Sequence, residues 1–113
     1  DAVSLVNTLK GMAPDPVTGA PFLGGGSGGL SGPAIRAVAL EQVAAVAAQV
    51  DIPVIGMGGI ASGRDAAQFL AAGASCVAVG TESFRDPAAG KRIADELSAL
   101  SRNVRSFAAA ADS

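Results

Sequence analysis

Two short glycine turns carry the most chemistry in this sequence. One is Gly58-Gly59, inside the run Ile-Pro-Val-Ile-Gly-Met-Gly-Gly-Ile at 52–60. The other is Gly80-Thr81, directly after Cys76-Val77-Ala78-Val79. Glycine has no Cβ, so its backbone N–H can approach a ligand closely or sit at positive φ. Convergent N–H donors, the positive end of a helix and a threonine hydroxyl together suit a phosphate dianion. One such turn alone reads equally well as a tight turn or a phosphate contact; two at corresponding places point to phosphate. Asn7-Thr8, at the end of the apolar segment Val3-Ser4-Leu5-Val6, offers a carboxamide and a hydroxyl for substrate contact, although composition equally allows a turn there.

A second reading shares the same residues. Gly56-Met57-Gly58-Gly59-Ile60-Ala61 satisfies G-x-G-x-x-A, and Glu82 follows the next apolar run as a ribose partner would. That dinucleotide fingerprint needs its helix to begin at the second glycine. Here the helix-start signals lie later, with Ser62 as N-cap and Asp65 three residues on. A Rossmann-type dinucleotide-binding domain is the weaker reading.

Composition removes other classes. The chain has 113 residues, a net charge of −2 and no basic run, which gives nucleic acid or anionic membrane no electrostatic hold. It shows no apolar run of membrane-spanning length and no signal-peptide pattern at its start. The single cysteine, Cys76, excludes an internal disulfide and fits a reducing cytoplasm; at the head of an apolar strand it reads as core, not nucleophile. Histidine is absent, so Ser-His and Cys-His nucleophile pairs cannot be built from these residues.

The elements that would position these groups alternate. A strand at the start leads into an irregular segment from Lys10 to about Pro33, rich in Pro and Gly, whose ending in Leu30-Ser31-Gly32-Pro33 favours a functional loop over a linker. A helix is expected over about 37–50, with Leu40, Val43, Val46 or Ala47, and Val50 on its apolar face. The buried strand beginning at Ile52 follows, then a helix from Ser62 to a C-terminal glycine at Gly73. The strand at Cys76 leads to a last helix capped by Asp86-Pro87, with Ile93, Leu97 and Leu100 as its stripe; 101–113 is an alanine-rich tail. Alternation of this kind implies parallel β/α units. A closed (β/α)8 barrel takes about 250 residues. The expected architecture is therefore α/β, part of one larger domain, beginning inside a fold.

Taken together, Asn7-Thr8, Gly29-Leu30-Ser31-Gly32-Pro33-Ala34-Ile35-Arg36, the 52–60 run and Gly80-Thr81 resemble the dihydroorotate dehydrogenase family, in its NAD-linked subtype, over nearly the whole chain to about Leu100. The resemblance implies the last three β/α units of an FMN-containing (β/α)8 TIM barrel that oxidises dihydroorotate to orotate in pyrimidine (UMP) biosynthesis. It implies that Asn7 and Thr8 bind the substrate ring and that Val6 and Gly32 line the flavin. Gly58, Gly59, Gly80 and Thr81 would hold the FMN phosphate. The family's catalytic cysteine and flavin-contacting lysine would lie upstream, leaving no catalytic residue in this stretch. Ala37 and Ala78 stand where the family often has Pro and Gln. A homodimer is implied, as is a partner subunit that carries FAD and an iron–sulfur cluster and passes electrons to NAD. The alternative is a half-barrel or dimerising fragment without activity that binds a phosphate ligand at most.

Overall fold

A computed structural model describes the backbone of residues 1–112 and the side chains of residues 1–101. Three strands form a parallel sheet: β1 (Val3–Leu5), β4 (Val54–Met57) and β5 (Cys76–Ala78), with β4 in the centre. Val3 pairs with Val54 in the first ladder, and Ile55 with Cys76 in the second. The central strand sits two residues later than its apolar run suggests. Ile52 is exposed, and Pro53, which has no N–H to give, contributes only its carbonyl, which accepts the N–H of Val3 at 3.1 Å.

The expected irregular segment is instead an ordered hairpin. Strands β2 (Leu9–Gly11) and β3 (Gly28–Leu30) pair antiparallel, Leu9 opposite Leu30, and a further bridge joins Pro14 to Pro21. At its tip the Asp15 carboxylate accepts the N–H groups of Val17 at 2.8 Å and Thr18 at 3.1 Å, closing an Asx turn. No alternation of apolar and polar residues announces β3. Its glycines answer to side chains packed against them: a Cβ at Gly28 would overlap Leu23, and one at Gly29 would overlap Thr8.

A 3₁₀ turn at Pro33–Ile35 opens α1 (Arg36–Ala47), which buries Ala39 and Val43 and ends sooner than its periodicity predicts. Helix α2 (Gly63–Ala72) begins as expected, with Ser62 Oγ accepting the N–H of Asp65 at 3.1 Å, and stops at Gly73, φ 120°. A short α3 (Glu82–Arg85), unforeseen in sequence, precedes α4 (Ala89–Asp112). The Asp86-Pro87 cap is displaced: Asp86 Oδ1 accepts the N–H of Ala88 at 3.0 Å, and the helix opens at Ala89, so Pro87 lies before its first turn. The expected tail at 101–113 begins inside α4, with Ser113 outside the described residues.

The core lies between the sheet and the helices. It gathers Val43, Val54, Phe69, Ile93 and several alanines, with Phe69 and Val43 the largest fully enclosed side chains. Burying a ring of that size stabilises by about 1.5–3 kcal/mol. Small residues elsewhere let α1 and α2 lie close to the strands. Cys76 departs from expectation. It is exposed, because β5 is an outer strand of the described sheet and Cys76 is its first residue.

Candidate functional site

The C-terminal ends of β1, β4 and β5 open onto one cavity of about 500 Å³. Val6, Asn7 and Thr8 approach it from β1, and Gly32 from the segment between the hairpin and α1. Gly58 and Gly59 follow β4, and Gly80 and Thr81 follow β5. Every site residue singled out in the sequence thus lines the same space. Ligands of parallel α/β sheets bind at this end of the strands.

The two turns are built differently. Gly58 has φ 132° and Gly59 φ 73°, a region that side-chain-bearing residues rarely adopt. A Cβ on Gly58 would stand 2.7 Å from Ala39 Cβ, and one on Gly59 would stand 2.7 Å from the Gly32 carbonyl oxygen. The protein's own packing therefore requires both glycines. At Gly80 a Cβ would meet nothing within 4 Å. The second turn is instead linked sideways, where Thr81 Oγ1 donates to Ser31 Oγ at 2.8 Å. Among the described residues, the N–H groups of Gly58, Gly59, Ile60, Gly80 and Thr81 donate to no protein acceptor. Donors of this kind need water or a ligand.

Asn7 Oδ1 accepts the N–H of Thr8 at 2.7 Å, which fixes the carboxamide plane and leaves its NH₂ as donor. Glu82, a candidate ribose partner in the dinucleotide reading, is committed elsewhere. It is buried, and its Oε1 accepts from Arg85 Nη2 at 2.6 Å and from Arg92 Nη2 at 3.2 Å. Helix α2 starts five residues after the second glycine of the fingerprint, at Gly63 and not at Gly58, which removes the Rossmann geometry. Arg92 also donates through Nε to Asp86 Oδ2 at 2.9 Å. That hydrogen bond, followed by the one from Ala88 N–H, holds the Asp86 carboxyl below its ordinary range.

Sequence reasoning missed Ser31, Arg36 and Arg92. Arg36 and Arg92 reach the Gly58–Ala61 turn from chain positions 23 and 31 residues away. No local spacing could have signalled that.

A parallel β/α sheet with glycine turns around a cavity at its strand ends is the arrangement in which α/β proteins place their ligands. A family model described as dihydroorotate dehydrogenase matches residues 1–100, and the chain belongs to that family. A protein of Solibacter usitatus named putative dihydroorotate dehydrogenase A (fumarate) is 60% identical over 97 residues, 86% of this chain and 32% of its own length. The catalytic subunit of dihydroorotate dehydrogenase B (NAD(+)) from Geobacter metallireducens is 58% identical over the same shares. That of Anoxybacillus flavithermus is 49% identical over 100 residues, 88% of this chain and 32% of its own length. The chain spans about a third (32%) of the length of these curated relatives. The resemblance to the NAD-linked subtype agrees with the names of several relatives, while a fumarate-named relative is equally similar.

Proposed function

We propose that this chain supplies the phosphate cradle and one wall of the substrate site of a flavin-dependent enzyme that oxidises dihydroorotate to orotate in pyrimidine (UMP) biosynthesis. In this reading its strands are the last three β/α units of a TIM barrel. The observation that carries it is the convergence of Asn7, Gly32, Gly58, Gly59, Gly80 and Thr81 on one cavity in a chain of this family.

The residues fit an FMN phosphate. The N–H groups of both turns have no protein acceptor among the described residues, and the open space at Gly80 admits a ligand against the backbone. FMN, when bound, supplies a two-electron acceptor. Gly58, Gly59, Gly80 and Thr81 hold its phosphate, while Val6 and Gly32 line its body. Asn7 orients the substrate. With one oxygen lone pair taken by Thr8 N–H, its NH₂ meets a ring carbonyl and its remaining lone pair a ring N–H. Thr8 offers its hydroxyl at the rim. The proton-abstracting residue would lie upstream of this stretch, and a separate FAD- and iron–sulfur-bearing partner subunit would pass the electrons to NAD. A homodimer and a cytoplasmic location belong to the same reading; no described helix is long and apolar enough to cross a membrane.

The test is Asn7→Ala in the full-length protein. Leaving ring polar groups unpaired costs about 1–3 kcal/mol each. The kcat/KM for dihydroorotate should therefore fall by roughly ten- to more than a hundredfold, with the flavin absorbance of the purified protein unchanged. A wild-type kcat/KM would overturn the substrate role.

A further inference from the structure

The Gly58–Ala61 turn is held from behind, on the side of α1 and α2. Arg36 Nη1 donates to the carbonyl oxygen of Gly59 and to Asp65 Oδ2, both at 3.2 Å. The same Asp65 oxygen accepts the N–H of Ala61 at 3.0 Å. The stem of Arg36 lies directly against the turn, since a Cβ on Gly59 would stand 2.9 Å from Arg36 Cβ. One ion pair thus grips the turn twice, at a carbonyl and at an N–H two residues on.

Peptide geometry gives this grip a consequence. The peptide between Gly59 and Ile60 is trans, so its C=O and N–H point in opposite directions. Drawing the Gly59 carbonyl toward Arg36 turns the Ile60 N–H the other way. Tying the Ala61 N–H to Asp65 likewise turns the Ile60 carbonyl away from Asp65. The turn is left with a donor that has no protein acceptor among the described residues, on a residue that lines the cavity. The charge of Arg36 is matched meanwhile by a carboxylate whose side chain is only 15% exposed. The pair offers an anion little net charge and acts on the direction of backbone dipoles.

We propose that Arg36, anchored by Asp65, is a positioning residue that sets the phosphate affinity of the Gly58–Ala61 turn through the backbone, without touching the phosphate. This rests on the phosphate reading of the cavity and assigns a role to two residues outside the cradle itself. A phosphate-contacting arginine and a positioning arginine differ in the sign of one result. If Arg36 met the phosphate, removing the negative charge of Asp65 would strengthen phosphate binding. If Arg36 orients the turn, the same change loosens it and weakens binding.

The experiment titrates the full-length apoprotein with FMN and with riboflavin, which differ by the phosphate, following quenching of flavin fluorescence. The readout is the ratio of the two dissociation constants. Arg36→Gln and Asp65→Asn should each reduce the preference for FMN by about ten- to a hundredfold, the scale of a lost charge-assisted hydrogen bond, with riboflavin affinity unchanged. Arg36→Lys keeps the charge but ends one bond short of Nη1, the single nitrogen that donates to both oxygens. It should fall with Arg36→Gln, not with the wild type, and as the mildest change it keeps the test readable if another variant fails to fold. An unchanged ratio in the variants, or a stronger FMN preference in Asp65→Asn, overturns the positioning role while leaving the phosphate reading intact. A wild-type protein that binds FMN and riboflavin equally overturns both.

Discussion

The turn after β4 and the turn after β5 look alike in sequence and are opposites in construction. The first is hemmed in: Ala39, the Gly32 carbonyl and the Arg36 stem fill the space where side chains would go, and two arginines hold its carbonyls. The second faces open space at Gly80 and has one hydroxyl-to-hydroxyl link to Ser31. A glycine can thus be demanded by the protein's own atoms or left free for a ligand's. The first turn's glycines are explained without any ligand. Only at the second does the absence of a side chain find no cause in the described packing.

Substitutions separate the two. The largest effect is expected from Gly59→Val, which places a β-branched side chain at φ 73° against a carbonyl oxygen. Its melting temperature should drop sharply, by the equivalent of about 2–4 kcal/mol. Normal stability would mean that the turn can rearrange and that the contrast is false. Gly80→Ala should do the reverse: its thermal melt should stay within about 0.5 kcal/mol of wild type, while the dissociation constant for FMN rises by about tenfold as the methyl enters the ligand's space. An unaltered FMN affinity would make Gly80 only a turn residue.

The smallest effect concerns the segment after the second turn, between α3 and α4. Asp86, held below its ordinary pKa by Arg92 and the Ala88 N–H, favours folding while it is ionised in both states. Its contribution is present above the unfolded value, near 3.8, and is lost as pH falls through the lower folded value. Between pH 5 and pH 3, wild-type protein should lose slightly more stability than Asp86→Asn in parallel thermal melts. Identical pH profiles would show that this half-exposed pair contributes nothing to stability.

The sequence made some of this legible and hid the rest for physical reasons. Ser62 and Gly73 bracket α2 because capping is a local matter, settled by side-chain oxygen and backbone conformation at single positions. The strand β4 starts at Val54 and not at Ile52, since Pro53 interrupts an apolar run that looks continuous. The hairpin was hidden because Gly28 and Gly29 carry no pattern; the space for a side chain is taken by Leu23 at the first and by Thr8 at the second. Residues lining the cavity were found because glycine, asparagine and threonine announce their chemistry one at a time. The Arg36–Asp65 pair spans 29 positions, and only folding brings its members together.

The β2–β3 hairpin also has a mechanical meaning. Its paired base leads directly into cavity residues at both ends, Asn7-Thr8 before Leu9 and Ser31-Gly32 after Leu30. The ladder from Leu9–Leu30 to Gly11–Gly28 therefore fixes the separation of the two chain ends, whatever the tip beyond it does. Closing a flexible loop grows costlier only with the logarithm of its length, about 0.6 kcal/mol for each doubling. Residues 12–27 are accordingly insulated from the site. The tip can lengthen, shorten or carry an inserted sequence while the ladder keeps the cavity walls in register, which makes it a natural graft point in an otherwise tightly coupled chain.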